Sequence, residues 1–146
     1  MGNAALGMIG MALRAGRLAV GDEACGDACR YKRCRLLLLT ADAGEGARRR
    51  AGSFAEAGQC LLAQLPCSKE ELGAALGRGS CAMAAVTDLG LAQAIVQKLA
   101  REEPEKYGEM AQRLRLKAQR AAQRREKAAK NRQQRGKRPL MNYKKK

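Results

Sequence analysis

With 146 residues, 46% of them apolar, the chain has room for one ordinary domain and an appendage. The net charge of +15 is uneven: residues 1–100 hold 12 Lys+Arg against 9 Asp+Glu, and residues 101–146 hold 17 against 5. The lack of any His removes the usual general base, the 3% aromatic content disfavours folds that stack bases on aromatic platforms, and no apolar run approaches the roughly 20 residues of a membrane span.

In chain order, Asn3 is placed to cap a first helix through Ala4, Leu6, Ile9, Ala12 and Leu13 that stops at Gly16. Its first basic residue, Arg14, follows the apolar stretch, the reverse of a secretory signal, and Leu6 breaks the myristoylation pattern that Met1-Gly2 would need. A cytoplasmic location is expected. Leu18 to Val20 is a short strand, and Gly21-Asp22 begins a helix running to about Tyr31. The run Arg35 to Thr40, RLLLLT, suits a strand buried on both faces, which requires helices on both sides. The pattern then repeats: a basic helix from Gly44 to Ala57, a strand from Cys60 to Leu65, and a helix capped by Ser68 and Glu71 and closed by Gly77. A strand of small residues within Ser80 to Thr87 follows, and then a helix from Asp88 carrying Leu91, Ile95, Val96 and Leu99. This alternation predicts an α/β fold, a three-layer α/β/α sandwich with a four-stranded sheet over residues 1–100.

From residue 101 the character changes. Pro104 fits the first turn of a new helix, whose stripe of Tyr107, Met110, Leu114, Ala118 and Ala121 is mostly Ala. Residues 101–146 are expected to form a basic, solvent-exposed helix that frays toward Gly136 and Pro139, with the terminal KRPLMNYKKK disordered when free.

Six cysteines, Cys25, Cys29, Cys34, Cys60, Cys67 and Cys81, sit mostly among apolar neighbours, and without a C-x-x-C pair or a His they read as structural thiols with no metal site. Arg48-Arg49-Arg50 reads as a solvated helix face, Asp22-Glu23 and Glu70-Glu71 as acids favoured by helix macrodipoles, and Asp42 and Asp88 as helix caps. No catalytic residue and no cofactor site is assigned. Gly77-x-Gly79 lacks the Lys-Ser/Thr of a P-loop and reads by itself as a turn.

Three stretches carry a family likeness: GMALRAGRLAVGDEA from Gly10, LLLLTADA from Leu36 and KEELGAALGRGSCAMAAVTDLGLAQAI from Lys69. In this order and spacing the body resembles the kink-turn RNA-binding ribosomal protein family, the L-seven-Ae type, most closely its bacterial YlxQ-like branch. The resemblance implies a sandwich that binds structured RNA through the start of the second helix at Gly21, Asp22 and Glu23 and through the loop Gly77, Arg78, Gly79, Ser80 and Cys81. Family members commonly read G-x-N-E-x-x-K at that helix start; here only Gly21 matches, Glu23 and Ala24 replace the amide and the carboxylate, and Asp27 replaces the Lys. Arg14, Arg17, Arg30, Lys32 and Arg33 are expected to restore a positive rim around the same surface.

These readings lead to a non-catalytic RNA-binding protein, monomeric and without a membrane partner. Its expected partner is structured RNA, ribosomal or kink-turn-like, in ribosome assembly or translation. An adaptor that kept the fold but lost RNA recognition, or an accessory partner of an RNA-modifying enzyme, is the alternative.

Overall fold

A computed structural model describes residues 2–137; the expected disorder of the C-terminal end falls almost wholly outside them. Helix α1 (Asn3–Arg14) leads to strand β1 (Leu18–Val20), helix α2 (Asp22–Arg30), strand β2 (Leu36–Thr40) and helix α3 (Glu45–Gly58). Strand β3 (Leu61–Leu65), helix α4 (Lys69–Ala75), strand β4 (Met83–Val86) and helices α5 (Leu89–Glu102) and α6 (Pro104–Lys137) complete the order. Among the described residues the four strands form one sheet in the order β1-β4-β2-β3, with β2 and β3 parallel and the other two pairings antiparallel.

The five-residue run of β2 explains the layering. Alternate side chains of a strand face opposite ways. Leu36 and Leu38 join Ile9, Leu65, Leu72, Val86, Ile95 and Leu99 on one face, under α1, α4, α5 and α6. Leu37 and Leu39 join Cys25, Cys29, Ala51, Met83 and Ala85 on the other, under α2 and α3. The expected α/β/α sandwich is therefore the fold. Its second layer is thin because α2 and α3 approach closely: a Cβ at Gly58 would lie 3.1 Å from the Cα of Cys29, and one at Gly26 would lie 3.0 Å from the Phe54 ring.

Several local expectations need correction. Helix α1 starts at Asn3 itself, so Gly2 occupies the cap position. Asp42 does not cap the helix that follows it; Gly44 holds that position, and Asp42 Oδ1 instead accepts from the Lys69 N–H at the start of α4, 2.9 Å away. Ser68 and Glu71 do form the capping box, and Asp88 Oδ2 accepts from the Leu91 N–H at 2.8 Å.

The largest departure is at the boundary placed after residue 100. Only Glu103 separates α5 from α6, and α6 runs back along α5, its residues Ala118 and Ala121 reaching Leu89 and Gln93 at the α5 start. Tyr107 and Leu114 are 2% and 0% exposed and belong to the principal core. The Tyr107 hydroxyl donates to the Gln64 carbonyl of β3. One Tyr and one Leu at helical spacing, helped by Met110 and Ala111, are enough to seat the first half of the helix, since each large buried side chain contributes roughly 1.5–3 kcal/mol. From Ala122 to Gly136 every residue is exposed.

Candidate nucleic-acid interface

The two segments that the sequence pairs as a recognition surface do meet. Gly21 follows the last residue of β1, and β4 begins beside it; the Gly21 N–H donates to the Met83 carbonyl at 3.1 Å. Gly21 has φ +93°, a value open to glycine and strained for other residues, and it lets the chain turn from strand into α2. No side-chain cap at Gly21 takes up the N–H groups of the first turn of this helix. The loop reaches the same edge because Gly73 of α4 lacks a side chain: a Cβ there would lie 2.6 Å from the Cα of Ser80. Gly77, at φ +72°, makes the turn out of α4, and Arg78 N–H donates back to the Gly73 carbonyl at 2.7 Å. Gly77, Arg78, Gly79 and Ser80 are exposed. Cys81 is not: it is 7% exposed, and its Sγ donates to the Met83 carbonyl at 3.2 Å, so it anchors the loop instead of presenting it.

The acids of this edge are partly neutralised. Asp22 Oδ2 accepts from Arg50 at 2.5 Å; Arg48, Arg49 and Arg50 are nonetheless all exposed, as expected of a solvated face. Arg48 is engaged as well, donating to the Ala41 and Ala43 carbonyls at 3.0 Å. Glu23 remains exposed, and Asp27 pairs with Arg30 at 3.0 Å one turn on.

The expected positive rim does not surround this edge. Arg17 precedes β1, Arg35 precedes β2, and Lys32 and Arg33 follow α2, which places them at the opposite end of the sheet, about 13 Å away along the three residues of β1 and about 16 Å along the five of β2. Arg14 lies on a third face, with Gly10, Glu71 and Ala75 between α1 and α4. The far end nevertheless forms a basic face of its own. Arg17, Lys32, Arg33 and Arg35 line one cleft together with Asp27; Lys32 and Arg35 continue into a second with Lys117, Arg120 and Arg124 of α6 and no acid; Arg35 and Arg124 extend into a third with Arg125 and Asp88, so that cations outnumber acids throughout. Tyr31, 65% exposed, stands at its margin with the Arg33 guanidinium 5.9 Å from its ring centroid. Sequence reading missed this face because its halves lie more than eighty residues apart and only the packing of α6 on α5 joins them.

The sequence matches no family model and no curated protein. Many solved structures share its fold, two of them as follows. A protein of unknown function from Bacillus halodurans C is 26% identical, with 62% of this chain and 95% of that chain covered at a TM-score of 0.56. The Giardia lamblia 15.5kD RNA binding protein is 14% identical, with 68% and 84% covered at a TM-score of 0.53. Among the described residues, no helix is long and apolar enough to cross a membrane.

Of the six cysteines, Cys67 is buried in the principal core and the other five divide into two groups. Cys25 donates to the Ala19 carbonyl at 3.7 Å and Cys81 to that of Met83, as thiols in a core commonly do. Burial raises both thiols above the ordinary value. Cys29, Cys34 and Cys60 instead turn toward one another, with all three sulfurs within 4.8 Å and Cys60 Sγ 3.5 Å from Cys34 Sγ. The hydrogen bond with Cys34, and further off the Lys117 ammonium, brings the Cys60 thiol down to about 6, while the same bond together with burial pushes Cys34 up. Cys25 and Cys29, four apart on α2, are both buried, but Cys29 finds its sulfur partners in the following loop and in the residue before β3.

Proposed function

We propose that this protein is a non-catalytic RNA-binding protein that engages folded RNA, ribosomal or kink-turn-like, in ribosome assembly or translation. The observation that carries this reading is the basic face at one end of the sheet, where body and α6 combine Arg17, Lys32, Arg33, Arg35, Lys117 and Arg120 beside the exposed Tyr31. A cationic surface of this extent meets phosphates, and an aromatic ring with an Arg over it offers a place for an unstacked base. The likeness of the fold to an RNA-binding protein from Giardia lamblia and the family resemblance of the body support the same direction. In this reading the loop at Gly77–Ser80 and the α2 start contact bases or sugar edges through backbone groups, and the basic face holds the flanking helix.

Gel-shift titration of the full chain against a kink-turn RNA, a fully paired duplex and a random single strand tests the proposal. The expected order is kink-turn first. The triple variant Arg17→Glu, Arg33→Glu, Arg35→Glu should weaken all binding by ~10²-fold or more, whereas Arg78→Glu should mainly narrow the gap between folded and unfolded RNA. Equal affinity for all three RNAs, or a triple variant that binds like the parent, overturns it.

A further inference from the structure

We propose that Cys29, Cys34 and Cys60 form a three-thiolate site for a thiophilic d10 cation, Zn²⁺ or Cu(I), beneath the basic face. The three sulfurs come from the last turn of α2, the α2–β2 loop and the residue before β3, and they converge within 4.8 Å of one another. A metal with sulfur ligands at about 2.3 Å in tetrahedral directions holds those sulfurs about 3.8 Å apart. The 3.5 Å between Cys34 and Cys60 is within a few tenths of an ångström of that spacing.

The surroundings fit the charge such a site would carry. Three thiolates around a divalent cation leave one net negative charge, and around a monovalent cation two. Cys34 and Cys60 open on a cleft lined by Lys32, Arg35, Lys117, Arg120 and Arg124, with no Asp or Glu among its lining residues. On binding, three S–H bonds break, three metal–sulfur bonds form and three protons pass to the buffer; no oxidant or reductant is needed. Zn²⁺ would complete its sphere with a solvent molecule from the cleft, whereas Cu(I) is satisfied by the three sulfurs.

Close approach makes the convergence structural. The absent side chain of Gly58 lets the end of α3 lie against Cys29, which brings Cys60, two residues on, under the α2–β2 loop. The other three cysteines stand apart: Cys25 and Cys81 donate to backbone carbonyls, Cys67 is buried in the core on the other side of the sheet, and none joins the cluster.

The test uses the full chain, reduced with a phosphine that does not compete for metal. It is titrated separately with Zn²⁺ and Cu(I), and with Cd²⁺ as a spectroscopic stand-in for Zn²⁺. One equivalent of Cd²⁺ should produce thiolate-to-metal charge-transfer absorption, and prior loading with Zn²⁺ should slow its appearance until the softer Cd²⁺ displaces the Zn²⁺. Alkylation of the unsubstituted protein with and without metal, followed by peptide mass spectrometry, should find Cys29, Cys34 and Cys60 alkylated more slowly with metal bound and at the original rate after chelation, while the rates at the buried Cys25, Cys67 and Cys81 stay unchanged. Cys29→Ser, Cys34→Ser and Cys60→Ser should each weaken binding by ~10-fold or more, and Cys67→Ser should not. Absence of stoichiometric binding by both metals overturns the site. So does protection of a different set of thiols, or parental affinity in any of the three cluster variants. The alkylation readout needs no variant and holds even where a substitution disturbs folding.

Discussion

Thr40, at the end of β2, is fully buried, and its Oγ1 finds no partner among the described residues. Its backbone is satisfied, since the N–H donates to the Ala82 carbonyl at 3.0 Å. A buried hydroxyl without a partner loses its hydration and gains nothing in return, so Thr40→Val should raise stability by about 1 kcal/mol. Urea denaturation checks this, and a loss of stability would mean that the hydroxyl is bonded in solution. Gly73 presents the opposite case. A Cβ there would lie 2.6 Å from the Ser80 Cα and 2.8 Å from its nitrogen, both backbone atoms that cannot swing aside as a side chain can. Gly73→Ala should therefore cost roughly 1–3 kcal/mol and move the Gly79-Ser80 segment. Amide exchange at Ser80 together with denaturation reads both effects, and an unchanged loop would remove Gly73 as the reason for its position.

At the scale of elements, α6 is two helices in one. Its first half is held by burial of Tyr107, Ala111 and Leu114, whereas the exposed stretch from Ala122 relies on the helix propensity of its Ala, Arg, Lys and Gln residues. A cut after residue 100 would strip Tyr107 and Leu114 from the core and expose what they cover, while a cut after Ala121 would leave that core whole. The fragment 1–100 should be unfolded or strongly destabilised, and the fragment 1–121 should melt within a few degrees of the full chain. Leu114→Ala alone should cost about 2–5 kcal/mol. Thermal melts followed by circular dichroism decide between these outcomes. A stable 1–100 fragment would show that α6 is dispensable to the body.

For the whole molecule, the charge that seemed to divide body from tail is shared across the fold. Lys32 and Arg35 from the body meet Lys117, Arg120 and Arg124 from α6 in one cleft. If about six of these cations contact phosphates, log K should fall against log salt with a slope of about −5 for duplex RNA segments. Removing residues 122–146 takes away Arg124, Arg125 and the remaining tail cations but leaves Arg17, Lys32, Arg33, Arg35, Lys117 and Arg120. The slope should become shallower without vanishing, and preference for folded RNA should persist in 1–121. A slope near zero in that fragment would place all phosphate contacts in the distal tail.

The sequence by itself determined the layers. The Leu36–Leu39 run demands burial on both faces, Ser68 with Glu71 fixes the start of α4, and Asp88 fixes that of α5, because strand alternation and capping act over a few neighbouring residues. It also indicated that Gly21 and Gly77–Ser80 belong to one edge, through the family resemblance. What only the tertiary structure decided is which distant residues share a surface. The orientation of strands put Arg17, Lys32, Arg33 and Arg35 at the end of the sheet away from Gly21, and the return of α6 along α5 brought Lys117 and Arg120 beside them. The convergence of Cys29, Cys34 and Cys60 has the same origin, a close approach of α2 and α3 permitted at Gly58 that no local pattern records. Local rules act along the chain, whereas a composite surface depends on packing between segments far apart in it.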